Sequence, residues 1–189
     1  MKRGRKPVEA GGILDAACRV FSRKGYFQST VDDVMAAAGV GKGTVYRHFK
    51  DKEGLLVALL NRTGEDMGRR ISESIRPDRP LDENLNSVAR VILSFFAAQP
   101  DLLRIFVREG ALSIPIVRTT MGSIIQQSNH RIAILLGGRA MFRASAVFNG
   151  MVFGLLRQKI GILDETIYPA KDASYIVSMF LYGVRGKKS

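Results

Sequence analysis

Apolar residues recur every three or four positions along almost the whole of this 189-residue chain, and no segment alternates strictly between apolar and polar residues. The first pattern is typical of amphipathic helices, and the second would be typical of half-buried strands. Because 46% of the residues are apolar, such helices can bury a substantial core. The pattern therefore predicts an all-α fold.

Glycines, prolines and capping residues divide the pattern into nine predicted helices. Two prolines between residues 76 and 80 end the fourth of them, because proline lacks the amide hydrogen that a helix interior needs. The predicted segments are 13–24, 30–38, 43–49, 52–75, 82–98, 101–111, 114–135, 140–161 and 172–184.

The segment 30–49, TVDDVMAAAGVGKGTVYRHF, is typical of two short helices joined by a tight turn. Thr30 and Asp33 form a capping-box-like pair at its start. Gly39 gives the turn a backbone freedom that a residue with a Cβ atom lacks. The spacing from Gly39 to Val45 is that of a helix-turn-helix, in which the second helix enters the major groove of DNA.

The net charge of +12 indicates an anionic partner, since such an excess repels itself within the folded chain. On and around the second helix, cations and hydrogen-bond donors outnumber the single carboxylate of Asp51, as a phosphate-facing surface requires. Lys52 opposes the dipole of the following helix, and we expect a DNA phosphate to balance it. The outward-facing candidates are Lys42, Thr44, Tyr46, Arg47, His48, Lys50 and Lys52.

The segment from about residue 10 to residue 60 resembles the DNA-binding domain of TetR/AcrR-type regulators. The resemblance rests on Ala17, Phe21, Gly25-Tyr26, Thr30-Val31, Ala38-Gly39-Val40 and, above all, the run KGTVYRHFKDKEGL at 42–55. It implies about nine helices, a homodimer, and repression that a small ligand relieves. Met35 and Gly41 depart from the usual alanine and serine, and the second departure removes a cap and an expected phosphate contact.

The resemblance also implies individual roles in binding double-stranded DNA. Thr30, Tyr46, His48 and Lys52 are expected to hold phosphates. Lys42, Thr44 and Arg47 are expected to reach base edges, with Gly43 and Lys50 on the same face. Arg3 and Arg5, in the N-terminal basic segment, are predicted to enter the minor groove; a solubilising tail is the alternative.

We expect three parts in the chain: a flexible basic arm at 1–8, a helix-turn-helix domain at 9–54 and a helical ligand-binding and dimerisation domain at 55–189. Recognition of a palindromic operator by such a motif uses two copies, about one DNA turn apart. A stripe of small residues on the helix at 140–161, together with the last helix, predicts the dimer face, with ordinary core as the alternative. The predicted dimer residues are Ala146, Val147, Gly150, Gly154, Tyr175, Met179 and Tyr182.

Bulky, adaptable side chains in the middle helices predict a chamber for a small-molecule effector, and plain core packing is again the alternative. The sequence does not identify the effector. The predicted chamber residues are Phe95, Phe96, Phe106, Met121, Ile125, Gln126, Asn129, Phe148 and Met151, with Leu103, His130 and Asn149 nearby.

The sequence argues against an enzyme, and we predict no catalytic residue, metal site or cofactor. It has two histidines far apart, one cysteine and no nucleophile-elbow motif, and the run GKGT at 41–44 lacks the spacing of a phosphate loop.

The longest uncharged apolar run, 144–156, is too short to span a bilayer, so a soluble, cytoplasmic protein is expected. The remaining alternatives are a nonspecific architectural DNA binder and an activator with the same fold.

Overall fold

The computed structural model describes residues 10–108 and 113–183, with the backbone alone at 106–108. Within these ranges the chain forms nine α-helices and no strand, which confirms the predicted all-α fold. No helix in this part of the chain is both long and apolar enough to cross a membrane. The helices are α1 (Ala10–Lys24), α2 (Val31–Ala38), α3 (Lys42–His48), α4 (Lys52–Ser74), α5 (Leu81–Ala98), α6 (Pro100–Arg108), α7 (Pro115–Leu135), α8 (Phe142–Leu156) and α9 (Pro169–Tyr182).

Short-range capping bonds set where the N-terminal helices begin and end. Thr30 and Asp33 form the predicted capping box at the start of α2, where Thr30 Oγ1 accepts a hydrogen bond from the Asp33 backbone N–H (3.1 Å). Asp51 caps α4 as predicted, because its Oδ1 accepts a hydrogen bond from the Gly54 N–H (2.7 Å). Gly39 ends α2 with a φ of 67°, the left-handed conformation that the turn requires.

The last two helices differ from their predicted bounds. The segment predicted at 140–161 is α8 followed by a π-helical segment, Arg157–Leu163, which ends at Asp164 with a φ of 54°. A few wide turns alter the apolar spacing too little for the sequence to reveal them. The helix α9 begins at Pro169 rather than at 172, because a proline at the first helical position gives up no helical hydrogen bond.

The long helix α4 joins two parts of the molecule, which we call the head (residues 10–54) and the body (residues 55–108 and 113–183). Leu55, Leu56 and Leu59 are fully buried at this junction and belong to a core that extends from α1 to α9. In the body, α5 packs against α4, α8 and α9, while α6 packs against α1 of the head. The predicted boundary at residue 54 thus falls within a continuous helix, and the division into domains stays a prediction.

Candidate functional site

The helix α3 packs against the rest of the head through one apolar face. Val45 is 1% exposed, and Phe49, directly after the helix, is 8% exposed. Thr44 is half-buried. The predicted DNA-contact residues that lie exposed on and after this helix are Lys42, Gly43, Tyr46, Arg47, His48 and Lys50. A seven-residue helix therefore turns a contiguous polar face towards solvent.

Two glycines leave the backbone of α3 open at its start. A Cβ atom built at Gly41 or Gly43 would have no neighbour within 4 Å. Gly41 is the N-cap of α3 and makes no side-chain capping bond, as expected where the usual serine is missing. A ligand backbone can therefore approach α3 at Gly43 without meeting a side chain.

The cations of this face have no acidic partner in the described ranges. No carboxylate lies within 4 Å of the charged groups of Lys42, Arg47 or Lys50. Lys42 instead lies beside the ring of Tyr46, with 5.7 Å between Nζ and the ring centroid. The positive charge is thus available to an anionic partner.

At the start of α2, the carboxylate of Asp33 accepts hydrogen bonds from Lys24 and Thr30. Asp33 Oδ2 accepts hydrogen bonds from Lys24 Nζ (2.7 Å), from the Thr30 backbone N–H (2.8 Å) and from Thr30 Oγ1 (2.8 Å). The Lys24 bond first, and then the Thr30 bonds, lower the pKa of Asp33 to about 2. Both donors of Thr30 are thereby directed to Asp33, and the phosphate contact assigned to Thr30 stays a prediction.

Lys52 has a different partner from the one its position in the sequence suggested. Its Nζ donates hydrogen bonds to the carbonyl oxygens of Tyr26 (2.9 Å), Phe27 (3.3 Å) and Ser29 (2.9 Å), and lies 4.5 Å from the centroid of the Tyr26 ring. Burial lowers its pKa. Three carbonyl dipoles of the α1–α2 loop thus balance this lysine, and the phosphate contact assigned to it stays a prediction. A phosphate contact would require Lys52 to give up these bonds.

Arg3 and Arg5, with the rest of the predicted basic arm, lie outside the described residues. The minor-groove role assigned to them stays a prediction.

The predicted dimer face is exposed on α8 and α9. Val147 is 58% exposed, Tyr175 62% and Tyr182 41%, which are high values for large apolar side chains. Ala146 and Met179 are half-buried beside them. Gly150 and Gly154 lie exposed on α8, and a Cβ atom built on either would meet nothing within 4 Å.

The predicted chamber residues are not gathered around one space. Phe95, Phe96, Phe148 and Asn129 are buried in the core, and Met121 and Met151 are half-buried. Ile125, which is 45% exposed, and Gln126 face solvent, while the side chain of Phe106 lies outside the described residues. The assignment of these residues to an effector stays a prediction.

Two open grooves lie beside α4 instead, and both are lined by Phe95 and Gln99. One has a volume of about 570 Å³ and reaches Asp15 of α1 and Arg62 of α4. Those two side chains form an ion pair at 2.8 Å between Arg62 Nη2 and Asp15 Oδ1. The other groove, about 650 Å³, lies between α4 and α5. Phe95 is thus a predicted chamber residue that lines both of these grooves.

Sequence reasoning missed the arginines that line the second groove, Arg70, Arg76, Arg79 and Arg90. It also missed Lys24, which pairs with Asp33 at a sequence distance of nine residues. The concentration of arginines on both sides of the proline-rich break at 76–80 was the available signal for the groove. It did not show which of them would share a face.

Comparison with known proteins places the chain among bacterial regulators. Residues 13–59 match the family model described as bacterial regulatory proteins, tetR family. The fatty acid metabolism regulator protein of Bacillus subtilis is 31% identical over 157 residues, which cover 82% of this chain and 79% of that protein. The uncharacterized HTH-type transcriptional regulator YhgD of Bacillus subtilis is 35% identical over 94 residues, which cover 50% of this chain and 49% of that protein.

Two solved structures share the fold over nearly the whole chain. The fatty acid degradation regulator FadR from Bacillus halodurans superposes with a TM-score of 0.86 at 20% identity, covering 97% of this chain and 100% of the other. The regulator FadR from Bacillus subtilis, in complex with stearoyl-CoA, superposes with a TM-score of 0.78 at 22% identity, covering 93% and 100%.

Proposed function

Because the chain belongs to the TetR family of bacterial transcriptional regulators, we propose that it is a homodimeric repressor that binds a palindromic operator and leaves it when a long-chain acyl-CoA binds. The polar face of α3 is the single observation that carries the DNA-binding part. Val45 and Phe49 hold this short helix on the head and leave Lys42, Tyr46 and Arg47 exposed.

The exposed residues of α3 suit both parts of DNA recognition. Cations and hydroxyl groups bind phosphates in any sequence, whereas the planar guanidinium of Arg47 can pair with two acceptors of guanine. In the described ranges, no carboxylate lies within 4 Å of the Arg47 guanidinium, so none competes with DNA for it. We therefore assign sequence reading chiefly to Arg47 and the phosphate contacts to its neighbours.

The glycines of α8 support a second copy of the chain as the partner of the body. Glycine in a helix interior is less favourable than alanine by roughly 0.5–1 kcal/mol. Packing among the described residues gives no reason for that cost at Gly150 or Gly154, since a Cβ atom at either would meet none of their atoms within 4 Å. A helix from outside the chain can approach closely there, while exposed Val147 and Tyr175 supply apolar area to bury.

The proposed effector class comes from relatives. The Bacillus subtilis protein that aligns over most of both chains is a fatty acid metabolism regulator, and a solved structure of the same fold contains stearoyl-CoA. An acyl-CoA combines a long apolar chain with a highly charged head. The larger groove beside α4 is lined by four arginines and Phe95, whereas the smaller one adds Leu102 and also carries the carboxylates of Asp15, Glu65 and Asp66.

The experiment that tests this function begins with selection of random duplex DNA by the purified protein. The selected duplex and a scrambled duplex are then compared across a salt series, and stearoyl-CoA is titrated into the bound complex. A palindromic duplex that binds far more tightly than the scrambled one, and is released by stearoyl-CoA, is the expected result. A transcription assay with the selected duplex in a promoter separates repression from activation.

Equal binding of the two duplexes, lost together as the salt concentration rises, would contradict the proposal and favour an architectural DNA binder. Specific binding that stearoyl-CoA leaves unchanged would keep the operator and reject the effector class.

A further inference from the structure

We infer that the groove between α4 and α5 binds phosphate groups, and that its ligand is the phosphorylated head of the proposed acyl-CoA effector. The groove has a volume of about 650 Å³, and four of the residues lining it are arginines: Arg70, Arg76, Arg79 and Arg90. We call it the arginine groove. The inference rests on the proposed function for the identity of the ligand, but the site itself is argued from charge and geometry.

The arginine groove exists because small side chains line α5. Ser87, Ser94 and Ala98 recur on the same helical face as Arg90, so α5 leaves space next to α4. Phe95 lies in the wall and is only 4% exposed. The lining thus combines cations and the hydroxyl of Ser94 with one aromatic ring, a set that suits a nucleotide phosphate ester.

Three of the four arginines lack an acidic partner. No carboxylate lies within 4 Å of the guanidinium groups of Arg76, Arg79 or Arg90 in the described ranges. Arg70 is paired with Asp66, with 3.0 Å between Nε and Oδ2, and its guanidinium lies 5.4 Å from the centroid of the Phe95 ring. One glutamate, Glu73, also lines the groove. The excess of guanidinium groups, each able to bind phosphate through two hydrogen bonds, favours an anionic ligand.

A buried amide fixes the backbone of two of these arginines. Asn84 is 2% exposed, and its Oδ1 accepts a hydrogen bond from the Arg76 backbone N–H (2.8 Å). Its Nδ2 donates to the carbonyl oxygens of Arg76 (2.8 Å) and Arg79 (3.1 Å). The turn that carries both side chains is therefore ordered before any ligand arrives, which reduces the entropy cost of binding.

DNA bound at α3 does not account for this charge. Lys52 begins α4, and Arg70 follows 18 residues later on the same helix, which corresponds to about 27 Å along the axis at 1.5 Å per residue. A phosphate held by the head is thus out of reach of the arginine groove. We therefore assign the groove to a separate anion.

The arginine groove also lies next to a contact between the head and the body. Phe95 and Gln99 line both the arginine groove and the neighbouring groove of about 570 Å³, which includes Asp15 and Arg62. These last two residues connect α1 with α4. A ligand that extended from the arginines past Phe95 and Gln99 would lie beside this connection.

Isothermal titration with adenosine 3′,5′-bisphosphate, with ATP and with inorganic phosphate tests the inference directly. The test variant is Arg79→Gln/Arg90→Gln, and the matched control is Arg118→Gln/Arg139→Gln, two exposed arginines outside both grooves. We expect the bisphosphate to bind the natural protein more tightly than ATP or phosphate does. The test variant should bind it at least about tenfold more weakly, and the control should bind it normally.

No binding of the bisphosphate, or equal binding to all three proteins, would overturn the inference. Equal affinity for ATP would show a general nucleotide site and would overturn the assignment to the acyl-CoA head. Release of operator DNA by stearoyl-CoA is measured with the same three proteins. Release at equal concentrations in all three would contradict the inference while the proposed function stands. If the bisphosphate result holds but stearoyl-CoA releases no DNA, the proposed effector fails while the phosphate site stands.

Discussion

The head and the body expose surfaces of opposite chemistry. On α3 of the head the apolar residue Val45 is buried, and the exposed positions carry cations and hydrogen-bond donors such as Arg47. On α8 and α9 of the body, Val147 and Tyr175 are more than half exposed although they are apolar. Polar groups lose no free energy by staying in water. Each Å² of apolar surface left in water, however, lacks the roughly 25 cal/mol of stabilisation that its burial would give. The first surface suits a polyanion, and the second suits an apolar partner.

The glycines sharpen this contrast, because they occur for three different reasons. Gly39 in the head has a φ of 67° that a residue with a Cβ atom adopts at a cost. Gly64 on α4 has no room for a side chain, since a Cβ atom there would lie 2.8 Å from Ile124 Cγ1. Gly150 on α8 has neither constraint. Backbone geometry and internal packing explain the first two, and a partner outside the chain would explain the third.

The largest expected effect is that of Gly150→Leu on the body. The added side chain has space within one chain, but it would separate the two copies at the proposed interface. We expect the dimer to dissociate and operator affinity to fall by about a hundredfold or more, because the two heads would bind independently. Sedimentation equilibrium and fluorescence anisotropy with operator DNA measure the two effects.

Gly122→Leu on α7 is the matched control, since a Cβ atom at Gly122 also meets nothing within 4 Å. The two variants should have similar circular dichroism spectra. A dimer that survives Gly150→Leu would disprove the proposed interface.

A smaller effect is expected for Arg47→Ala on the head. Loss of a bidentate contact to guanine should reduce discrimination between the operator and a scrambled duplex by about 1–3 kcal/mol. Lys50→Ala is the comparison, because an exposed phosphate contact should weaken both duplexes alike. Binding titrations of both duplexes at one salt concentration give the ratio. Equal losses on the two duplexes for Arg47→Ala would remove its assigned role.

Lys52→Met should act on stability rather than on recognition. The variant keeps an apolar stem but removes the hydrogen bonds to the carbonyl oxygens of Tyr26 and Ser29. We expect the free energy of unfolding to fall by about 1–2 kcal/mol. Urea denaturation measures this change, with Lys50→Met on the exposed neighbour as the control. An unchanged urea midpoint would mean that the three carbonyl contacts add no net stability.

The smallest expected effect concerns Asp33 and pH. Its pKa in the folded chain is about 2, below the ordinary aspartate value of about 3.9. The bonds to Lys24 and Thr30 therefore stabilise the head above about pH 4, and this contribution is lost as the pH falls towards 2. Asp33→Asn should show a shallower loss of urea resistance over that interval than the natural protein. Parallel pH profiles for the two proteins would contradict the assigned cause.

Much of the head could be predicted from the sequence because its determinants are local. The capping box of Thr30 and Asp33, the cap at Asp51 and the turn at Gly39 each depend on residues within four positions of one another. The outward direction of Lys42, Tyr46 and Arg47 followed from the position of Val45 on the same short helix. Periodicity likewise predicted nine helices, and a π-helical segment and a helix-initiating proline account for the changed end of the eighth and the changed start of the ninth.

The sequence by itself thus determined the helical fold, the helix-turn-helix and the family, since these follow from patterns that are read along the chain. Tertiary structure alone decided that Lys52 would meet the carbonyl oxygen of Tyr26, 26 residues earlier. It also decided that Arg79 and Arg90 would share a groove with Arg70. Such contacts depend on how separate helices pack, and helical spacing gives the face of each residue but not the neighbour that this face will meet.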